Sequence, residues 1–257
     1  MMPAVLPTRT FHPDAPGLPL VALHGFLGSK DDWADLAARL PHRRIVAVDL
    51  PGHGEAVGLD VAAYGFDEAV AALSTTLASL ESGRFDLLGY SMGGRVALAL
   101  ALAHPTVVNT LTLESSSPGL PSEEERAARR VLDAERADAL RRDFPAFLRD
   151  WYAMPLFATL TAAQRDALIA QRATADPDEL ARGLVGMGTG AMPNLWPALS
   201  ALTVPVRLVA GARDAKFAAL AGRMAERLPC ASVHLVGSAG HNVHLEQPEA
   251  FAALVQR

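Results

Sequence analysis

The sequence predicts an α/β protein: a mostly parallel central sheet with helices on both faces and an inserted helical cap. Three observations predict it. Short apolar runs alternate with helix-period segments from Pro19 to Glu114 and again after Trp196, each switch marked by glycine or proline. Between Pro118 and Trp196 the strand-like runs vanish, and consecutive helices with well-marked starts replace them. The residues suited to chemistry fall directly after strand candidates, where open α/β sheets gather their binding loops.

The first dozen residues are expected to give one or two edge strands. Residues 20–23, 45–48, 85–88 and 107–113 read as strands, rich in Val and Leu without polar alternation, as a sheet covered on both faces requires. Helices are expected at 31–40, 67–80 and 92–103. Strands resume at 206–210 and 232–236, with helices at 216–228 and 248–255. In the strand-free block, Ser122 with Glu125 and Thr161 with Gln164 have capping-box spacing, and Asp176-Pro177 supplies a cap followed by proline at the first helical position. A helical block between two parallel strands emerges at their carboxyl ends. The expectation is one domain, with a core of residues 1–117 and 197–257 and a lid of residues 118–196.

At 257 residues with half of them hydrophobic, the chain can bury a sizeable core. Net charge is −5, and the 23 basic residues are spread without a run or tail, so nucleic acid is not an expected partner. The longest apolar run falls short of the roughly 18 residues that cross a bilayer, and the first residues lack a basic-then-apolar export pattern. No membrane span is expected. Cys230 stands alone, which excludes an internal disulfide, a cysteine-based zinc site and an iron–sulfur cluster and fits a cytoplasmic location. Following Pro229 at the start of a strand, it is expected in the core rather than as a nucleophile. A monomer or small homo-oligomer is expected.

Gly89-Tyr90-Ser91-Met92-Gly93 fits G-x-S-x-G, with a strand before it and a helix after it. The flanking glycines let strand and helix cross closely, so the serine projects from a tight turn. The Met92 amide, at a helix N-terminus, is then a ready oxyanion donor. A serine hydroxyl is barely acidic and needs a base, and the base needs an orienting acid. His241, in Gly240-His241-Asn242, and Asp214, just beyond a strand, follow in that role; Glu114 is the alternative acid. The order Ser, Asp, His is that of α/β-hydrolases and not of chymotrypsin or subtilisin. A second oxyanion amide is expected from Phe26, in the loop after residues 20–23. His24, Asp49 and His53 are read as bracing residues, and the pair His241 and His244 is a weak metal site without a third ligand.

His24-Gly25-Phe26, Pro51-Gly52-His53-Gly54, the serine elbow and the late Asp and His resemble the α/β-hydrolase superfamily along the whole chain. Within it, Gly89-Tyr90-Ser91-Met92-Gly93-Gly94-Arg95, Ser117-Pro118-Gly119-Leu120, Trp151-Tyr152 with Pro155 and Phe157, Arg213-Asp214 with Lys216-Phe217, and Gly240-His241-Asn242 with His244 are similar to the 2-succinyl-6-hydroxy-2,4-cyclohexadiene-1-carboxylate synthases of menaquinone biosynthesis. The resemblance implies a lyase that eliminates pyruvate without metal or organic cofactor, with Ser91 acting as base. It also implies that a small polycarboxylate substrate is bound by Arg95, Arg129 and Arg172, with Tyr90 and Trp151 lining the pocket; Arg126 and Arg130 are expected in solvent. Of the basic residues, 21 of 23 are arginine, Lys30 and Lys216 being the exceptions. The alternative is a serine hydrolase of the same fold, an esterase or carbon–carbon bond hydrolase, which needs fewer cations. A catalytically silent binding protein has no need of Ser91, Asp214 and His241 together.

Overall fold

The computed structural model describes residues 4–78 and 83–256. β1 (Thr8–Phe11), β2 (Leu20–Leu23), β3 (Ile45–Val48), β4 (Phe85–Tyr90), β5 (Val108–Glu114), β6 (Val206–Gly211) and β7 (Ala231–Val236) form one seven-stranded sheet in the order β1-β3-β2-β4-β5-β6-β7. β1 runs antiparallel to β3 at one edge, and every other neighbouring pair is parallel.

Alternate residues of each strand enter different cores, as the pleat dictates. Val21, Leu23, Val46, Val48, Leu87, Leu111 and Leu208 face one side, covered by α2 (Phe66–Leu77), α3 (Met92–Ala103) and α8 (Ala215–Ala225). Leu20, Ala22, Ile45, Ala47, Leu88 and Val209 face the other, covered by α1 (Ala34–Arg39) and α10 (Pro248–Val255) with Trp33 and Phe251 fully buried. Each such large apolar side chain removed from water contributes about 1.5–3 kcal/mol.

Between β5 and β6 lie α4 (Glu123–Arg142), α5 (Phe144–Tyr152), α6 (Ala162–Arg172) and α7 (Pro177–Met187), which build the cap. Their starts follow the sequence signals. Ser122 Oγ accepts from the Glu125 amide at 3.1 Å, and the Glu125 carboxylate in turn accepts from the Ser122 amide at 3.1 Å. Thr161 and Gln164 repeat the arrangement, and Asp176 Oδ1 accepts from the amides of Asp178 and Glu179. Each such cap stabilises its helix by about 1 kcal/mol. The cap has its own core of Leu140, Phe144, Phe147, Leu148, Phe157, Leu168 and Leu184, joined to the sheet domain through Leu27.

Two expectations are adjusted, and part of a third lies outside the described residues. The helix at 31–40 is a 3-10 turn, Lys30–Trp33, capped by Ser29, followed by α1. The end expected for α2 at Leu80 lies outside the described residues. Cys230 is exposed rather than in the core, because it enters β7, the outer strand of the sheet, whose residues are largely exposed.

Candidate active site

Ser91 sits between β4 and α3 with φ 49° and ψ −106°, a conformation that costs a non-glycine residue energy and persists only where its surroundings enforce it. They do. The Ser91 amide donates to Glu114 O at 2.9 Å, and Ser116 Oγ donates to Ser91 O at 3.0 Å. A Cβ on Gly93 would stand 2.5 Å from the carbonyl oxygens of Leu23 and His24, and one on Gly89 2.5 Å from Gly93 O. Only glycine lets α3 start this close to β2 and β4.

His241 follows β7 in a tight loop and is buried, its Nε2 3.1 Å from Ser91 Oγ and its Nδ1 2.9 Å from Asp214 Oδ2. Asp214 caps α8, its Oδ1 accepting from the Phe217 amide at 3.2 Å. That second bond fixes the carboxylate, and the carboxylate fixes the imidazole with Nε2 toward the serine. Phe217 lies against the His241 ring at 4.6 Å, and Tyr90 at 5.4 Å. Glu246 accepts from the amides of Gly240 and Asn242, bracing the loop from within.

Glu114 is not attached to His241. Its carboxylate lies 2.9 Å from His244 Nδ1 and accepts from the His244 amide at 3.0 Å. Burial opposes a charge on His244, but Glu114 outweighs it and holds the imidazole pKa above its ordinary value.

Ser91 opens on a cavity of about 860 Å³ lined by Phe26, Met92, Arg95, Arg129, Arg136, Trp151, Arg213, Lys216 and His241, among others. Arg95 donates to Thr189 Oγ1 at 2.7 Å and to Met187 O at 2.9 Å. Burial, with the nearby charge of Arg129, pushes its pKa down to about 10. Arg129 Nε donates to Asp133 at 2.7 Å, and Arg136 lies over the Trp151 ring at 5.5 Å.

Arg172 is elsewhere. It lines a neighbouring cavity of about 290 Å³ together with Tyr90, Tyr152, Asn242 and His244, and is bound to Asp32 by bonds of 2.5 and 2.7 Å. The two cavities share Phe26 and Trp151, whose rings meet edge to face at 5.0 Å. Tyr90 therefore lines the smaller cavity, donating its hydroxyl proton to Asn242 Oδ1, and Trp151 lines both. Arg126 and Arg130 pair with Glu123, and Arg126 is drawn out of solvent by a further bond to Leu120 O.

The bracing residues do as their positions suggest. His24 Nε2 accepts from the Leu50 amide at 3.0 Å while Nδ1 faces Gly25 O at 2.8 Å, so the ring is neutral, and burial holds its pKa down. Asp49 accepts from both the Lys30 amide and Lys30 Nζ at 2.7 Å. His53 faces Pro51 O at 3.0 Å, and burial drives its pKa to about 3. Sequence reasoning did not single out Arg136, Glu246 or Asp32. Arg136 could have been found, since it follows Arg129 by seven residues on one helix, two turns along the same face. Among the described residues no group of three or more His, Cys, Asp or Glu stands where it could hold a metal, and no helix is long and apolar enough to cross a membrane.

An elbow serine, a buried histidine and a capping aspartate at the strand ends of such a sheet define a class: the chain belongs to the alpha/beta hydrolase family, whose sequence profile matches residues 20–254. It is 40% identical over 240 residues to the 2-succinyl-6-hydroxy-2,4-cyclohexadiene-1-carboxylate synthase of Enterobacter sp. (strain 638), covering 93% of this chain and 90% of that protein. The synthase of Salmonella agona (strain SL483) is 40% identical over 238 residues, covering 92% of each. The solved structure of MenH from S. aureus is similar with a TM-score of 0.89 and 32% identity, covering 96% of both chains. Within the hydrolase fold, then, the chain falls in the family of these synthases.

Proposed function

We propose that the protein is a carbon–oxygen lyase of menaquinone biosynthesis, eliminating pyruvate from 2-succinyl-5-enolpyruvyl-6-hydroxy-3-cyclohexene-1-carboxylate to give 2-succinyl-6-hydroxy-2,4-cyclohexadiene-1-carboxylate. The observation that carries this beyond a general hydrolase is the pairing of the Ser91–His241–Asp214 chain with the guanidinium groups of Arg95, Arg129 and Arg136 on one cavity. A tricarboxylate needs fixed cations where it is desolvated.

In this reading His241 takes the Ser91 proton as Ser91 removes the ring proton next to the succinyl ketone. The electron pair of that C–H bond forms a ring double bond, the existing one shifts, and the carbon–oxygen bond to the enolpyruvyl group breaks. The leaving enolate takes a proton and becomes pyruvate. Negative charge gathers on the ketone oxygen in passing, where the amides of Phe26 and Met92 receive it as they would a tetrahedral oxyanion. Asp214 keeps His241 in the tautomer that accepts from Ser91. We assign residues 118–196 as the lid that excludes water and residues 1–117 and 197–257 as the scaffold. Arg172 joins as a carboxylate ligand on the smaller cavity, reached when Asp32 gives way. Neither metal nor organic cofactor enters any step, and the reaction is placed in the cytoplasm, in a monomer or small homo-oligomer.

The test is product identity with intact-mass measurement during turnover on the freshly generated enolpyruvyl substrate. Pyruvate and a conjugated cyclohexadiene are expected together, with no mass added to Ser91. A stoichiometric adduct on Ser91 that forms and decays at the turnover rate would instead return the protein to the acyl-transfer hydrolases.

A further inference from the structure

Glu114 is fully buried, lies outside the Ser91–His241–Asp214 chain and lines neither cavity, yet it bonds both to Ser91 and to the loop that carries His241. Its main-chain oxygen accepts the Ser91 amide at 2.9 Å, which ties the elbow to the end of β5. Its side chain reaches the other way. Oε1 accepts from the His244 amide at 3.0 Å, and His244 Nδ1 lies 2.9 Å from both carboxylate oxygens.

His244 belongs to the short helix α9 (Val243–Glu246), three residues after His241. The intervening chain has little freedom. Glu246 holds the amides of Gly240 and Asn242, at 2.9 and 3.2 Å, so residues 240–246 form one small closed unit. Tyr90, the residue before Ser91, lays its ring against His244 at 4.8 Å and gives its hydroxyl proton to Asn242. A displacement of His244 is therefore transmitted to His241. Burying a carboxylate costs several kcal/mol, and a buried ion pair is a poor source of stability but a strict constraint on distance. A merely structural turn at this place needs only backbone bonds.

We propose that Glu114 is a positioning residue: a strut of fixed length between the serine elbow and the histidine loop, which sets the 3.1 Å contact of His241 Nε2 with Ser91 Oγ. The proposal rests on the reading of Ser91, His241 and Asp214 as the reacting chain. Glu114 touches no substrate and moves no proton. Its effect is confined to the geometry of the two residues that do.

The experiment compares Glu114→Ala, Glu114→Asp and Glu114→Gln in the full chain by three readouts: kcat and KM for pyruvate release, the rate at which phenylmethylsulfonyl fluoride labels Ser91, and Tm. Glu114→Ala is expected to lower kcat about 100-fold, the scale of a misplacement near 1 Å, with KM within about threefold and labelling slowed in parallel. Glu114→Gln keeps the length and one oxygen that serves both His244 donors, and is expected to stay within about tenfold of the parent. Glu114→Asp keeps the charge but is one methylene short; it is expected nearer to alanine, and it carries the test if alanine does not fold. Unchanged kcat and labelling in Glu114→Asp, with only Tm lowered, would reduce Glu114 to packing. A loss as deep in Glu114→Gln as in Asp214→Asn would make its charge part of proton transfer and overturn the strut. A loss confined to KM would put Glu114 at the substrate. Failure of the underlying reading looks different: Ser91→Ala would still release pyruvate, while the labelling rates would continue to report the serine–histidine geometry without any substrate.

Discussion

Arg95, Arg129 and Arg136 bring three guanidinium groups to one wall of the larger cavity, and Asp133 is the acid that faces two of them, at 2.7 Å from Arg129 and 3.8 Å from Arg136. Among the described residues Arg95 binds neutral oxygens, those of Thr189 and Met187, and its depressed pKa reflects both burial and the like charge of Arg129. A carboxylate in this cavity relieves that repulsion. Arg95→Ala, Arg129→Ala and Arg136→Ala are each expected to weaken kcat/KM by about 2–5 kcal/mol, since a desolvated carboxylate would be left unpaired. Arg130→Ala, whose side chain bonds to Gly190 O and Glu123, is the control, and equal small effects at all four positions would remove the assignment. The sequence made the triad residues legible because each follows a strand and stands in a short motif. It could not show that Arg172 is bound to Asp32, because the two are 140 positions apart and neither carries a local signal of the other.

Among the elements, the turn after β3 is heavily braced, with Asp49 holding Lys30 and the Glu55 amide, and the rings of His24 and His53 tilted against each other at 5.1 Å. His53 titrates near 3 in the folded chain against an ordinary 6.5, so between those values the unfolded chain binds more protons. Its contribution to stability is full above pH 6.5 and is lost as pH falls toward 3, and His24 shifts in the same direction. His244 shifts upward and acts oppositely, its contribution full below pH 6.5 and lost as pH rises through its folded value. His53 alone is expected to remove about 2 kcal/mol of unfolding free energy between pH 7 and pH 5, on the order set by its shift. His53→Asn, which keeps a donor for Pro51 O, is expected to flatten the pH dependence measured by urea denaturation, and an unchanged slope would contradict it. The capped starts of α4, α6 and α7 were readable because a helix cap is a local arrangement. The break between residues 33 and 34 and the exposed position of Cys230 were not, since both depend on what packs alongside.

Across the whole molecule, the polar bonds that tie the cap to the sheet domain include the buried contact of Tyr64 with Glu179 and the largely buried ion pair of Arg172 with Asp32. Asp32 also accepts from Gln171 at 3.2 Å, so the end of α6 is pinned to the turn before α1. Asp32→Ala is expected to cost about 3 kcal/mol, because Arg172 would be left as an uncompensated buried charge. The pair Asp32→Leu with Arg172→Met is expected to cost less than the single change, and calorimetric Tm values in a double-mutant cycle would show it. The backbone of Ser91 extends the same reasoning to the molecule's selection history. A serine held at φ 49° is a standing debit of about 1–3 kcal/mol against global stability, kept because the hydroxyl is presented only in that conformation. Ser91→Gly should therefore melt higher than the parent while releasing no pyruvate, so that a screen for thermostability alone would discard the residue on which the reaction depends.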